Sequence, residues 1–142
     1  MSTEANKAIA RRFLEEVLGQ GKLAVVDEIV APEHKSSGPG SVPGLPPGPE
    51  GTKMFVGIYR SAFPDIHFTI DDQIADGERV VTRWTAHGTH KGELMGIPPT
   101  GKSTTVHGMT LDRIVNGKMV ESWAVFDQLG MLQQLGVIPT PG

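Results

Sequence analysis

The stretch ESWAVFDQLGMLQQLG, residues 121–136, sets one carboxylate, Asp127, in an apolar run with a helical pattern behind it. An ionised carboxylate among Trp, Val, Phe and Leu costs free energy unless something pairs with it or uses it. Two accounts compete. As an acid or base in a desolvated pocket, Asp127 would have its pKa raised toward neutrality and would be the stronger base once ionised. As the residue preceding QLGMLQQL, it would be a favoured N-cap. A base of this kind needs a donor for a developing oxyanion, and Arg83, His87, His107 and the indole N–H of Trp123 are the candidates. The five histidines show no HxH or HExxH spacing, and alternation places His87 and His90 on opposite strand faces, so no metal is expected. Asp112 and Glu121, near Asn116-Gly117, read as solvated charges.

The elements that must position these residues follow from periodicity. Residues 2–18 carry Ile9, Phe13, Leu14, Val17 and Leu18 at helical spacing, and residues 22–30 repeat the pattern until Pro32 stops it. Residues 36–51, SSGPGSVPGLPPGPEG, hold five Pro and five Gly in sixteen positions and predict a loop, either a lid or a passive connector. A helix is expected over 50–62, ending before Pro64. The period then changes to two. Strands are expected from Ile66 to the Asp76-Gly77 turn, through ERVVTRWTAHGTH, over 102–115, and over 118–126 after Asn116-Gly117, with a short helix over 128–135. Helices followed by an antiparallel meander predict an α+β fold, with helices packed on one face of a curved sheet.

Face assignment decides which polar residues reach a pocket. A tight turn near Gly77 puts Val81, Arg83, Thr85 and His87 with Ile66, Phe68, Ile70 and Ile74, so Arg83 and His87 are expected to point inward, with an Arg83–Asp72 pair as the plainer reading. In the second hairpin, a two-residue turn would group Asp127 and Trp123 with Val106, Gly108, Thr110 and Asp112. A three-residue loop with a Gly117 bulge groups them instead with His107, Met109, Leu111 and Arg113. The second register segregates better: it gathers Met109, Leu111, Met119, Trp123 and Val125 as the core side and makes His107 a neighbour of Asp127. It leaves Val106, Ile114, Val120, Ala124 and Phe126 on the outside, an apolar set that a partner sheet would cover.

The whole chain of 142 residues is sized for a single domain, 1–142, with 38% apolar residues for one core. Thirteen Lys and Arg against sixteen Asp and Glu, a formal charge of -3 with no basic run, argue against nucleic acid. The absence of Cys excludes disulfides and thiol nucleophiles and fits a reducing compartment. Apolar stretches fall short of a membrane span, and the start MSTEANKAIARRF lacks the order of a signal peptide, so a soluble cytoplasmic protein is expected.

Two longer stretches, RSAFPDIHFTIDDQIADGERVVTRWTAHGTHKGELMGIPPTGK and GKMVESWAVFDQLGMLQQLG, resemble the SnoaL-like polyketide cyclase (ester cyclase) family of the nuclear transport factor 2-like superfamily. The resemblance implies a cone-shaped α+β barrel, commonly a homodimer, with a pocket between helices and sheet. It also implies an intramolecular aldol condensation of a polyketide methyl ester, without metal or organic cofactor. The family's catalytic acid/base falls on Asp127, and its pattern includes Arg83, His90 and Trp123 as substrate-binding positions. The chain departs from the pattern after the second helix, where APEHKSSGPG offers His34 early and Ser36 or Ser37 at the position where members often carry a His. The expected function is a cofactor-independent cyclase, isomerase or hydrolase acting on a hydrophobic, carbonyl-bearing small molecule. The alternative is a non-catalytic protein that holds such a molecule in the same pocket.

Overall fold

A computed structural model describes residues 2–140. Helix α1 (Thr3–Arg12), capped by the Ser2 hydroxyl on the Ala5 N–H at 3.0 Å, continues into wider π-type turns over Phe13–Leu18. Helix α2 (Leu23–Ile29) runs straight into strand β1 (Val30–Ser37). After the Pro- and Gly-rich segment come α3 (Gly48–Ala62), β2 (His67–Asp76), β3 (Arg79–Thr89), β4 (Ser103–Val115), β5 (Lys118–Phe126) and α4 (Gln128–Leu135). The strands form one sheet in the order β1-β5-β4-β3-β2, antiparallel except that β1 runs parallel to β5. The helices pack on one face of it, which is the α+β arrangement expected.

Strand β1 is the element that periodicity does not reveal. It contains Pro32 and only eight residues, and an edge strand tolerates a proline because one side of its ladder needs no donor. The segment taken as a loop from residue 36 therefore starts at Gly38, with Ser36 and Ser37 paired to Ser122 and Trp123.

Two bulges set the faces. Near its turn the β2–β3 hairpin pairs Ile74 with Val81 and Asp72 with Arg83, as parity predicts, but Asp71 is an extra residue and the pairing resumes as Ile70 with Trp84 and Phe68 with Ala86. One inserted residue moves every later side chain to the opposite face. Trp84 and Ala86 are thus in the core, at 7% and 8% exposure, whereas Ile74 and Arg83 lie outside. In the β4–β5 hairpin, Asn116 (φ 51°) and Gly117 (φ 79°) make a two-residue turn with two left-handed residues, and Val120 is then the extra residue. The resulting pairs, Met109 with Val125 and Leu111 with Trp123, are those of the register expected, reached by a bulge inside β5 in place of one in the turn.

The side of the sheet that this register buries is the reverse of the expectation. Val106, Ile114 and Val120 are buried, and Phe126 packs against the core, while Met109, Leu111 and Trp123 are 43%, 37% and 44% exposed. The helices cover the face that carries Thr110, Asp112 and Ser122, so those polar residues face inward.

Candidate functional site

A cavity of about 370 Å³ lies between the inner face of β3, β4 and β5, the helix α3, the end of the first helical segment and the Pro/Gly segment. Aromatic walls come from Phe13, Phe55, Tyr59, Phe68, Trp84 and Phe126. The Pro/Gly segment closes one side with Val42, Leu45, Pro46 and Pro47, and it is fastened down: the Gly40 N–H donates to the Ala124 carbonyl at 2.8 Å. A Cβ on Gly51 would run into the Pro46 carbonyl, so only glycine lets the segment lie this close to α3. It is a built wall.

A polar chain sits in that apolar surface. Asp112 on β4 pairs directly with Ser122 on β5, and the Ser122 hydroxyl donates to Asp112 Oδ1 at 2.6 Å. His34 on β1 reaches the same hydroxyl through Nε2 at 2.9 Å. His34 and Ser122 line the cavity, and Asp112 lies behind them at 3% exposure. Burial pushes the Asp112 carboxyl up to about 7, against the Ser122 hydrogen bond, which favours the charged form. Burial likewise lowers the His34 imidazole below its ordinary value, so it is neutral at neutral pH. With Asp112 ionised, Ser122 donates its single proton to the carboxylate and must accept from His34 Nε2–H. His34 Nδ1 then presents a lone pair. Two residues from Asp112 on the same strand face, Thr110 Oγ1 accepts the Trp84 indole N–H at 3.1 Å and keeps its own proton to donate.

Of the candidate base, donor and substrate-binding residues Asp127, Arg83, His87, His90, His107 and Trp123, His87 alone is among those lining the cavity, and its ring stacks on His67 at 5.1 Å with Thr105 Oγ1 3.3 Å from its Nδ1. Arg83 does not point inward: it is 58% exposed, 4.0 Å from Asp71 across the bulge. His107 is on the outer face with Nδ1 3.1 Å from Thr85 Oγ1, which in turn bonds Asp71. Trp123 is on that outer face too. His90 is fully buried, accepts from the Thr100 N–H at Nδ1 and packs against Phe63 with the rings tilted at 34°. Asp127 follows β5 and caps α4, its Oδ1 accepting the Gly130 N–H at 2.9 Å. The backbone N–H of Asp127 does reach the His107 carbonyl at 3.0 Å, but the side chains face different tasks.

Asp112 is where the sequence reading differs most from the structure, since its place near a turn suggested a solvated charge. The signal that could have found it was present: Thr110, Asp112 and Ser122 segregate to one face, and burial of that face makes a polar cluster. His34 gave no comparable signal because β1 itself was not legible. Among the described residues, no three side chains of the His, Asp or Glu type are placed to hold a metal ion.

The family model for SnoaL-like polyketide cyclases matches residues 8–135. The chain is similar to the aklanonic acid methyl ester cyclase DnrD of Streptomyces peucetius, 32% identical over 99% of this chain and 97% of that one. It is similar also to the nogalonic acid methyl ester cyclase of Streptomyces nogalater, 30% identical over 82% of this chain and 87% of the other. Among solved structures, TsrD from Streptomyces laurentii superposes with a TM-score of 0.87 at 25% identity, covering 97% of this chain and 99% of that one.

Proposed function

The chain belongs to the SnoaL-like polyketide cyclase family, and from that premise we propose that it is a cofactor-independent cyclase that closes a ring by an intramolecular aldol reaction on an apolar, carbonyl-bearing molecule. The observation that carries this reading is the His34–Ser122–Asp112 chain set into the wall of an apolar cavity. Its order matters. In a hydrolytic triad the imidazole stands between serine and carboxylate and activates the hydroxyl as a nucleophile. Here the serine stands in the middle, so it passes protons and the imidazole is the group left to meet the substrate.

The carbon acid gives its proton to His34 Nδ1 as the Nε2 proton moves to Ser122 Oγ and the Ser122 proton moves to Asp112 Oδ1. His34 exchanges one neutral tautomer for the other, and the charge leaves the carboxylate for the substrate enolate. The enolate carbon then attacks the second carbonyl carbon, a carbon–carbon bond forms, and the new alkoxide takes the proton back along the same chain. A carbon flanked by two carbonyls is acidic enough for a base whose conjugate acid lies near neutrality. Thr110 is the proposed donor to the enolate oxygen, its hydroxyl polarised by the Trp84 N–H it accepts.

Asp127, which the family pattern marks, is given the role of helix cap in this reading. Turnover on aklanonic acid methyl ester and nogalonic acid methyl ester, the compounds named in the two relatives, tests it. Asp112→Asn should lower turnover by about 10²-fold or more, and Asp127→Asn should leave it within a few-fold of wild type. The reverse ranking transfers the acid/base role to Asp127. Ligand binding with no product from any variant or the wild type would make the cavity a carrier site. A homodimer formed through the exposed face carrying Met109, Leu111 and Trp123 is part of the same proposal.

A further inference from the structure

Every buried polar side chain on the cavity wall has a hydrogen-bond partner except one. His34 bonds Ser122, Thr52 bonds the Gly48 carbonyl, Trp84 bonds Thr110 and Thr104 bonds the Gly88 carbonyl. The Tyr59 hydroxyl has no partner among the described residues, although the residue is only 8% exposed and lines the cavity. Nor is it sealed in protein: the buried side-chain atoms left unpaired are Asn6 Oδ1 and His90 Nε2. A phenol hydroxyl placed in an apolar chamber without a partner is costly unless a ligand or water completes its hydrogen bond. Its ring is held from two sides, by Phe55 at 5.1 Å and edge-on by Phe126 at 6.3 Å, so the hydroxyl has little freedom to seek a partner elsewhere. Burial raises the Tyr59 pKa, which keeps it a neutral donor well above neutral pH.

Two rulers place its backbone along the cavity. On the sheet, Phe126 is four residues beyond Ser122 on the same strand face, about 13 Å away at 3.3 Å per residue. On α3, Thr52 and Tyr59 both line the cavity and are seven residues apart, about 10 Å of helix, and the Gly48 end of α3 is the one that packs against Pro32 of β1, the strand that carries His34. The Tyr59 backbone is therefore about two turns along α3 from the Thr52 turn, and its ring lies against Phe126 at the end of β5.

We infer that Tyr59 is a specificity-determining donor, which binds an acceptor oxygen on the substrate other than the one at the enolised carbon. The inference rests on the reading of the His34 end as the reactive end. It narrows the substrate class to apolar molecules that carry, besides the enolisable group, a second carbonyl or hydroxyl oxygen able to accept from Tyr59.

The test uses two probes of one shape, 2-acetylnaphthalene and 2-ethylnaphthalene, titrated against the full chain by quenching of tryptophan fluorescence. The ketone should bind about three- to tenfold more tightly than the hydrocarbon, the worth of one neutral hydrogen bond. Tyr59→Phe should erase that preference while keeping hydrocarbon affinity, and His34→Ala should retain it. A preference that survives Tyr59→Phe, that is missing in the wild type, or that disappears in His34→Ala overturns the role of Tyr59 and leaves the relay standing. Failure of both probes to bind the wild type would remove the cavity as a site for apolar carbonyl compounds, and with it both readings.

Discussion

Asp112 holds its carboxyl at about 7 because it is buried with a single hydroxyl for company, whereas in the unfolded chain it returns to about 3.9. Between those values the folded protein binds the extra proton, so the group's contribution is fully present below about pH 4, declines as pH rises, and is lost by about pH 7 to 8. Denaturant titrations of wild type and Asp112→Asn at pH 4.5 and pH 8 should show the variant gaining on the wild type as pH rises, by at most about 4 kcal/mol. A gap that does not change with pH would mean that the carboxylate is stabilised by more than Ser122. The same ionisation should govern activity, with kcat/KM rising through an apparent pKa near 7 as the relay's terminal acceptor loses its proton. Asp127 offers the contrast. Its exposed carboxylate caps one short helix, so Asp127→Ala should cost about 1 kcal/mol of stability, read by thermal melting, with no displaced pH profile.

At the scale of elements, α3 and the segment before it are one device. Two of its glycines make opposite predictions. Gly51 faces the Pro46 carbonyl so closely that Gly51→Ala must push the cavity wall outward, which should destabilise by about 2 kcal/mol or more and weaken binding of naphthalene probes. Gly57 is on the exposed side of the same helix with nothing near its missing Cβ, so Gly57→Ala should stabilise by about 0.5–1 kcal/mol. Paired melting curves read both, and a neutral Gly51→Ala would show the Pro/Gly segment to be a movable lid. The bulges at Asp71 and Val120 belong to this scale as well. Each carries one extra residue, and each decides which half of a hairpin's side chains meets the cavity.

For the molecule as a whole, the sheet face away from the helices leaves Met109, Leu111 and Trp123 exposed beside the Arg113–Glu121 pair at 2.8 Å. Such an apolar stripe with charged margins suits a second sheet. Sedimentation velocity at micromolar concentration should give a dimer for the wild type and a monomer for Trp123→Glu, and a monomeric wild type would remove that surface as an interface. The patch anticipated from the sequence was its mirror image, with Val106, Ile114 and Phe126 outside; those residues are instead the ones against the helices.

That reversal marks the limit of what was legible in the chain. Helix periodicity, caps, the turn residues Asn116-Gly117 and strand alternation are local quantities, and they predicted the α+β order, four of the five strands and the pairing of β4 with β5. The family's motifs were legible in the same way, since a motif is read along the chain. The side of a hairpin that is buried is not a local quantity: alternation is symmetric between the two faces, and Trp123, Met109 and Leu111 on one side weigh about as much as Val106, Ile114 and Phe126 on the other. Three-dimensional packing breaks that tie, because the helices can cover one face alone, and a single extra residue at Asp71 or Val120 exchanges the two. From that choice follow the burial of Asp112, the meeting of Asp112 and Ser122 with His34 from an edge strand eighty-eight residues away from Ser122, and the exclusion of Arg83 from the cavity.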